Sequence, residues 1–403
     1  MLKKILPFVA LVCALVWTGC DGIAEYWEKP NTNTPDTVLT PATYLTHYIP
    51  APAPDFSLYR TNIEAKGIYI TSNIAGLGGA FKERLAMIER TELNTVVIDV
   101  KADEGYITFR GKIPLADELG IAVNNIPDFD GLMKTLAERE IYTIARLVVF
   151  KDDTIVNIRP DFAIGVTDGS NGGIYRQRDG NNIYGTAWLN PYNRDVWEYT
   201  VELALQIAAL GFDEIQFDYV RFPTDRTMQV ADFGDTGGLS RIEILTEFSK
   251  YAYARISPTG VKLSADIFGT VINSALDASL IGQDLVELAK IYDVVCPMVY
   301  PSHYVNGAMG IEHPDLSPYD VIYRSMAITL AQLKTIPAGE HVAIVRPWLQ
   351  DFTATWVNPH QVYGGTQLRE QIEACYDAGL TEWLLWNARN EYSEEGLLPA
   401  EKE

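Results

Sequence analysis

The sequence predicts a single (β/α)8 barrel, and three observations point to it. Eight short apolar runs alternate with amphipathic helical stretches from Gly67 to the end of the eighth run at Ala388. The links from helix to strand are tight, as in LGFD after Leu210, SPTGVK after Ile256 and AGL after Asp377. The links from strand to helix are long, one running from Lys151 to Tyr192, so extended loops gather at one end. A doubly wound open sheet accounts less well for eight alternations.

The strands follow in order. GIYIT (67–71) leads into a helix over 79–90, and TVVIDV (95–100) into one over 127–140. YTIARLVVF (142–150) precedes the long loop and a helix over 193–210. EIQFDYV (214–220) is followed by a helix over 240–256, and KLSADIF (262–268) by one over 276–290. VVCPMVY (294–300), HVAIVRPWL (341–349) and EWLLWNA (382–388) complete the set, with helices over 318–333 and 366–378 between them. Gly in the short links suits a left-handed helix C-cap.

The first residues read differently. Lys3 and Lys4 precede an apolar run from Ile5 to Trp17, too short to span a bilayer comfortably, and Thr18 and Gly19 lead into Cys20. The segment resembles a bacterial lipoprotein signal, which implies cleavage after residue 19, lipidation of Cys20 and an extracytoplasmic, membrane-anchored protein. An ordinary secretory signal with an incidental cysteine is the alternative. Residues 20–62, rich in Pro, Thr and Asn, read as a linker, and 63–395 as the barrel domain. Tyr44, Tyr48, Phe56 and Tyr59 in the linker are candidates to pack on it.

Composition excludes several functions. A net charge of −21 argues against a nucleic-acid partner. Cys13 and Cys20 belong to the signal, leaving Cys296 and Cys375, which are expected to be buried thiols rather than a disulfide framework. The five histidines, His47, His303, His313, His341 and His360, form no HxH or HExxH pair, so no metal is expected. There is no GxGxxG or GxxxxGK[ST] loop, and no cofactor is expected. GLGGAF (76–81) reads as a turn into the first helix and GGIYRQRDGN (172–181) as a substrate-side loop.

Alternation places a distinct set of side chains near the carboxyl ends of the strands: Asp99 and Lys101, Arg146, Asp218, Asp266, Tyr300, Arg346 with Trp348, and Trp386. Asp218 and Asp266 stand on adjacent strands, about 4.8 Å apart. Two carboxyls flanking one bond are what glycoside cleavage requires. Asp218, near Arg146 and Arg221, suits the charged nucleophile. Asp266, beside Ile267 and Phe268, suits the proton-carrying acid, with Asp99 as the runner-up. Tyr300, Trp348 and Trp386 are candidate platforms for sugar rings. Asp99, Lys101, Arg146, Arg221 and Arg346 are candidate polar contacts to substrate. A bland reading makes Asp218 and Arg221 a structural ion pair and Trp386 a core filler.

The run WLNPYNRDVWEYTVELALQIAALGFDEIQFDYVRFPTD (188–225) resembles the bacterial putative glycosyl hydrolase domain family, a TIM-barrel group. VVIDVKADEGYI (96–107), ARLVVFKD (145–152) and MVYPSHY (298–304) are similar to further blocks of it, and the resemblance covers roughly 65–390. It implies a carbohydrate-active barrel akin to the amylase-like glycosidases, whose usual nucleophile is a fourth-strand Asp, matching Asp218. The fifth-strand acid of that group is commonly Glu, where this chain has Asp266. The expected activity is therefore hydrolysis of a poly- or oligosaccharide by retention. The alternative is a non-catalytic glycan-binding surface lipoprotein.

Overall fold

The computed structural model describes residues 63–178 and 185–400; the expected signal segment, Cys20 and the expected linker lie outside the described residues. Eight parallel staves close on themselves in chain order. They are β1 (Lys66–Ile70), β2 (Thr95–Lys101), β3 (Tyr142–Val148), β4 (Glu214–Asp218), β5 (Lys262–Phe268), β6 (Val294–Met298), β7 (Ile344–Val345 and Trp348–Gln350) and β8 (Trp383–Trp386). Closure comes from β8 pairing with β1, Lys66 opposite Trp383 and Ile68 opposite Leu385. Gly67 makes that seam possible, because a Cβ there would lie 2.7 Å from Leu384 Cδ2.

The main outer helices are α1 (Gly78–Arg90), α2 (Phe129–Glu138), α3 (Arg194–Ala208), α4 (Arg241–Ile256), α5 (Ala275–Ile281), α6 (Leu285–Ala289), α7 (Pro318–Leu333) and α8 (Gly365–Asp377). Sequence chemistry sets their ends. Asn193 and Asp128 cap α3 and α2, and Ser240 with Glu243 forms a capping box on α4. Gly211 and Gly379 follow α3 and α8 with φ of 91° each, the left-handed stop anticipated from the short links. The helix expected over 276–290 is two helices. Gly282, at φ 83°, ends α5, and Asp284 caps α6.

Two apolar layers result. The larger fills the space between staves and helices, with Ile215, Phe217, Phe248 and Leu263 among its members. The smaller lies inside the barrel, around Tyr69, Val97, Tyr142, Ile144, Cys296, Trp348 and Leu384. Cys296 and Cys375 are buried and unpaired, as expected.

The seventh stave departs from the single run 341–349. It breaks at Arg346–Pro347, where proline has no N–H for a ladder. This break corrects the expected place of Arg346. Its N–H bonds Val295 O, level with the lower part of β6, and its guanidinium turns into the barrel base. There it pairs with Glu214, the first residue of β4, at 2.9 Å and with Glu382 at 2.6 Å, wholly buried. Arg346 is a barrel-floor ion group and not a substrate contact.

The long loops form a wall over one side of the upper end. Gly165–Val166 pairs antiparallel with Ala231–Asp232, stitching the loop after β3 to the loop after β4. Arg176–Gln177 pairs with Thr186–Ala187, so the described part of the expected substrate-side loop is a small ladder. Beneath it Trp188, Phe162 and Leu189 are buried.

Candidate active site

Asp218 is the last residue of β4, and its carboxylate accepts only N–H donors. Arg146 on β3 reaches Oδ2 through Nε at 2.9 Å and Nη2 at 2.6 Å, and the Tyr219 N–H reaches Oδ1 at 2.6 Å. The last bond depends on an uncommon backbone: Tyr219 has φ 53°, a left-handed conformation that costs an aromatic residue energy and gathers at functional sites.

Arg146 does more than hold Asp218. Its Nη1 donates to Asp99 Oδ1 and its Nη2 to Asp103 Oδ1, each at 2.7 Å. Asp103 also accepts from Lys151 Nζ and the Tyr219 hydroxyl, both at 3.0 Å. Tyr69 donates to Asp99 Oδ2 at 2.5 Å. Burial raises the Asp99 carboxyl against the pull of Arg146. Burial acts on Asp103 in the same sense, yet Lys151 and Arg146 outweigh it and hold that group well below the ordinary range. The three carboxylates and their cations therefore form one network, and the expected partnership of Asp218 with Arg146 is its centre.

Asp266 lies two residues short of Phe268 on β5, whose ladder with β4 aligns Phe217 with Ala265. Asp266 is 2% exposed. Its Oδ1 accepts from Trp348 Nε1 at 2.7 Å, and among the described residues Oδ2 has no hydrogen-bond partner. Burial first, and then the charge of Asp218, raise its carboxyl well above the ordinary range. Asp99 differs in having both oxygens bonded, Oδ1 by Arg146 and Oδ2 by Tyr69. Gln283, in the break between α5 and α6, fixes the backbone here: it donates to Asp266 O at 2.9 Å and Val220 O at 3.2 Å and accepts from the Phe268 N–H at 2.8 Å.

The aromatic candidates divide. Trp386 is half-buried, stacked on Tyr69 with centroids 4.2 Å apart and edge-on to Trp348 at 5.7 Å. Trp348 is 1% exposed, so it orients Asp266 rather than offering a face. Tyr300 is buried edge-on to His303 and Phe352; burial and the charges of Asp266 and Asp218 raise its phenol well above the ordinary value. Phe352 stacks in turn on Trp356 at 6.1 Å, extending an aromatic rim across the mouth. Burial lowers the His303 imidazole to about 4, which keeps it neutral.

Lys101 requires a correction. The register of β2 on β3 shifts between Asp99 and Lys101, which turns Lys101 off the inner face. Its ammonium meets Asp152 Oδ2 at 2.7 Å and Val148 O at 2.8 Å, 1% exposed, as a strut under the loop after β3. Arg221 does not bond Asp218; it bonds the Phe222 carbonyl at 3.0 Å and lies among aromatic rings. Sequence reasoning did not assign Tyr69, Asp103, Lys151 or Gln283. The acidic turn after Lys101 was a usable signal for Asp103; nothing local singled out the others. No group of three or more His, Cys, Asp or Glu side chains fit to hold a metal ion occurs among the described residues.

The comparisons agree with the barrel fold. Residues 67–392 match the family described as "Putative glycosyl hydrolase domain". No curated protein matches the chain. A hypothetical protein from Ruminiclostridium thermocellum shares 35% identity over 49% of this chain and 96% of its own, with a TM-score of 0.44. The PgaB (BpsB) glycoside hydrolase domain from Bordetella bronchiseptica is similar in fold at 12% identity, covering 81% of this chain and 95% of that one with a TM-score of 0.58. The C-terminal domain of a chitinase-like protein from Desulfitobacterium hafniense aligns at 10% identity over 83% and 97%, with a TM-score of 0.50. With the match running through all eight staves, the chain belongs to the family of that glycosyl hydrolase domain.

Proposed function

We propose that the protein hydrolyses O-glycosidic bonds of a poly- or oligosaccharide by double displacement, with Asp218 as nucleophile and Asp266 as acid and base. One observation carries the reading: Asp266, whose carboxyl is raised well above the ordinary range by burial and the charge of Asp218 and is bonded by Trp348, stands on the stave next to a carboxylate clamped by Arg146. In the first step Asp218 attacks the anomeric carbon while Asp266 gives its proton to the departing glycosidic oxygen. The glycosyl–Asp218 ester then yields to a water whose proton returns to Asp266, and the sugar leaves with its configuration kept. Adjacent staves favour the ~5–5.5 Å carboxyl spacing of retaining enzymes over the ~6.5–9.5 Å of inverting ones.

Proton NMR of the first anomer released from a cleaved glycan tests the route. Retention is the expected result, with Asp218→Asn lowering turnover by about 10³-fold or more; inversion would remove Asp218 from the nucleophile's place and make it a base for water. Glycan binding without turnover by the wild type would instead favour a binding protein.

We further propose that the protein acts outside the cytoplasm, anchored through lipidated Cys20. The charged start, the apolar run and Gly19-Cys20 support this placement. Cys20→Ala should move the protein from the membrane to the soluble fraction and abolish fatty-acid labelling. Unchanged fractionation would rule the anchor out.

A further inference from the structure

Arg221 has no task in the hydrolysis described above, yet it stands at the same mouth. It follows Asp218 by three residues, and its guanidinium faces Trp188 at 5.0 Å, Tyr219 at 4.9 Å and Phe268 at 5.2 Å. Phe268 closes the stave that carries Asp266, and the Tyr219 hydroxyl bonds Asp103 in the Arg146 network. The cation therefore stands beside Tyr219 and Phe268, the residues that follow or close the staves carrying Asp218 and Asp266.

Its surroundings differ from those of the neighbouring cations. Arg146 meets three carboxylates and Lys151 meets Asp103. Arg221 is only 9% exposed, yet among the described residues no carboxylate pairs with it. Among the described residues its hydrogen bond is from Nη1 to the Phe222 carbonyl, and Nε and Nη2 have no partner. Aromatic faces stabilise a guanidinium through its flat sides and leave its in-plane N–H fork unused. In a chain with 53 acidic and 32 basic residues, a buried cation held open in this way is a site prepared for an external anion.

We propose that Arg221 binds an anionic substituent of the glycan, a carboxylate, sulfate or phosphate on a sugar next to the cleaved bond, and that acidic glycans are the substrate class. The proposal rests on the glycosidase reading of Asp218 and Asp266. The planar fork of Nε and Nη2 can donate to two oxygens of such a group, beside the three rings.

Calorimetry on the full chain tests it with oligosaccharides prepared in matched forms: uronate, carboxyl-reduced neutral, sulfated and phosphorylated. The expected result is roughly 10- to 100-fold tighter binding of at least one acidic form than of its neutral counterpart. Which acidic form binds best identifies the substituent. Arg221→Gln should erase that preference and leave the neutral form's affinity unchanged, while Arg221→Lys should keep part of it; thermal melts establish that both fold. Equal binding of acidic and neutral forms by the wild type overturns the proposal and leaves the glycosidase reading in place. Equal weakening of all forms by Arg221→Gln, with Arg221→Lys no better, overturns it in favour of a cation that only braces the rings. Failure of every form to bind removes the glycan reading and this proposal together.

Discussion

Arg146→Met is expected to cost about 3–5 kcal/mol of folding stability at neutral pH, the loss that follows when one partner of a buried ion pair is removed. The guanidinium side chain is 3% exposed and bonds Asp99, Asp103 and Asp218. Without it three carboxylates remain in one buried place, with Lys151 as their remaining ion-pair partner. The pH dependence follows from Asp103. Its folded-state value lies well below the unfolded one, so it contributes stability that is present above the unfolded value and lost as pH falls through the folded one. The variant lacks much of that contribution, so its deficit should be largest near pH 7 and shrink toward pH 2, below the ordinary value of 3.8. Urea unfolding at both pH values measures this, and adding Asp99→Asn should recover part of the loss. A deficit below about 1 kcal/mol at pH 7 would mean that the cluster relaxes into solvent.

Asp266→Asn should separate activity from stability. Loss of the acid lowers turnover by about 10²–10⁴-fold. Stability should move the other way. Burial and the charge of Asp218 raise the Asp266 carboxyl well above its ordinary value, so the folded protein holds a proton that the unfolded chain releases. Wild-type stability therefore falls as pH rises from the ordinary carboxylate range through the folded-state value. Asparagine carries no such cost, and its Oδ1 still accepts from Trp348 Nε1. The variant should melt close to wild type near pH 4 and above it at pH 8. A variant that melts lower at pH 8 would show that the native protein holds Asp266 ionised.

The chain itself determined the order of the staves, the tight links at the lower end and the long loops at the upper one. It also placed Asp218 and Asp266 side by side. These features depend on local properties. Period-two and period-3.6 patterns, left-handed glycines such as Gly211, and caps such as Ser240 act within a few residues of chain. Depth in the barrel is a long-range property, and there the tertiary structure decided. The register shift after Asp99 sends Lys101 to Asp152, and the break at Pro347 drops Arg346 to Glu214, although alternation alone aims both into the mouth. The closing of β8 on β1 brings Trp386 onto Tyr69, and the turn after β2 brings Asp103 beside Asp99 on Arg146. What raises the Asp266 carboxyl is likewise burial and a charge distant in sequence, that of Asp218, working against the hydrogen bond from Trp348, because desolvation and charge act through space and not along the chain.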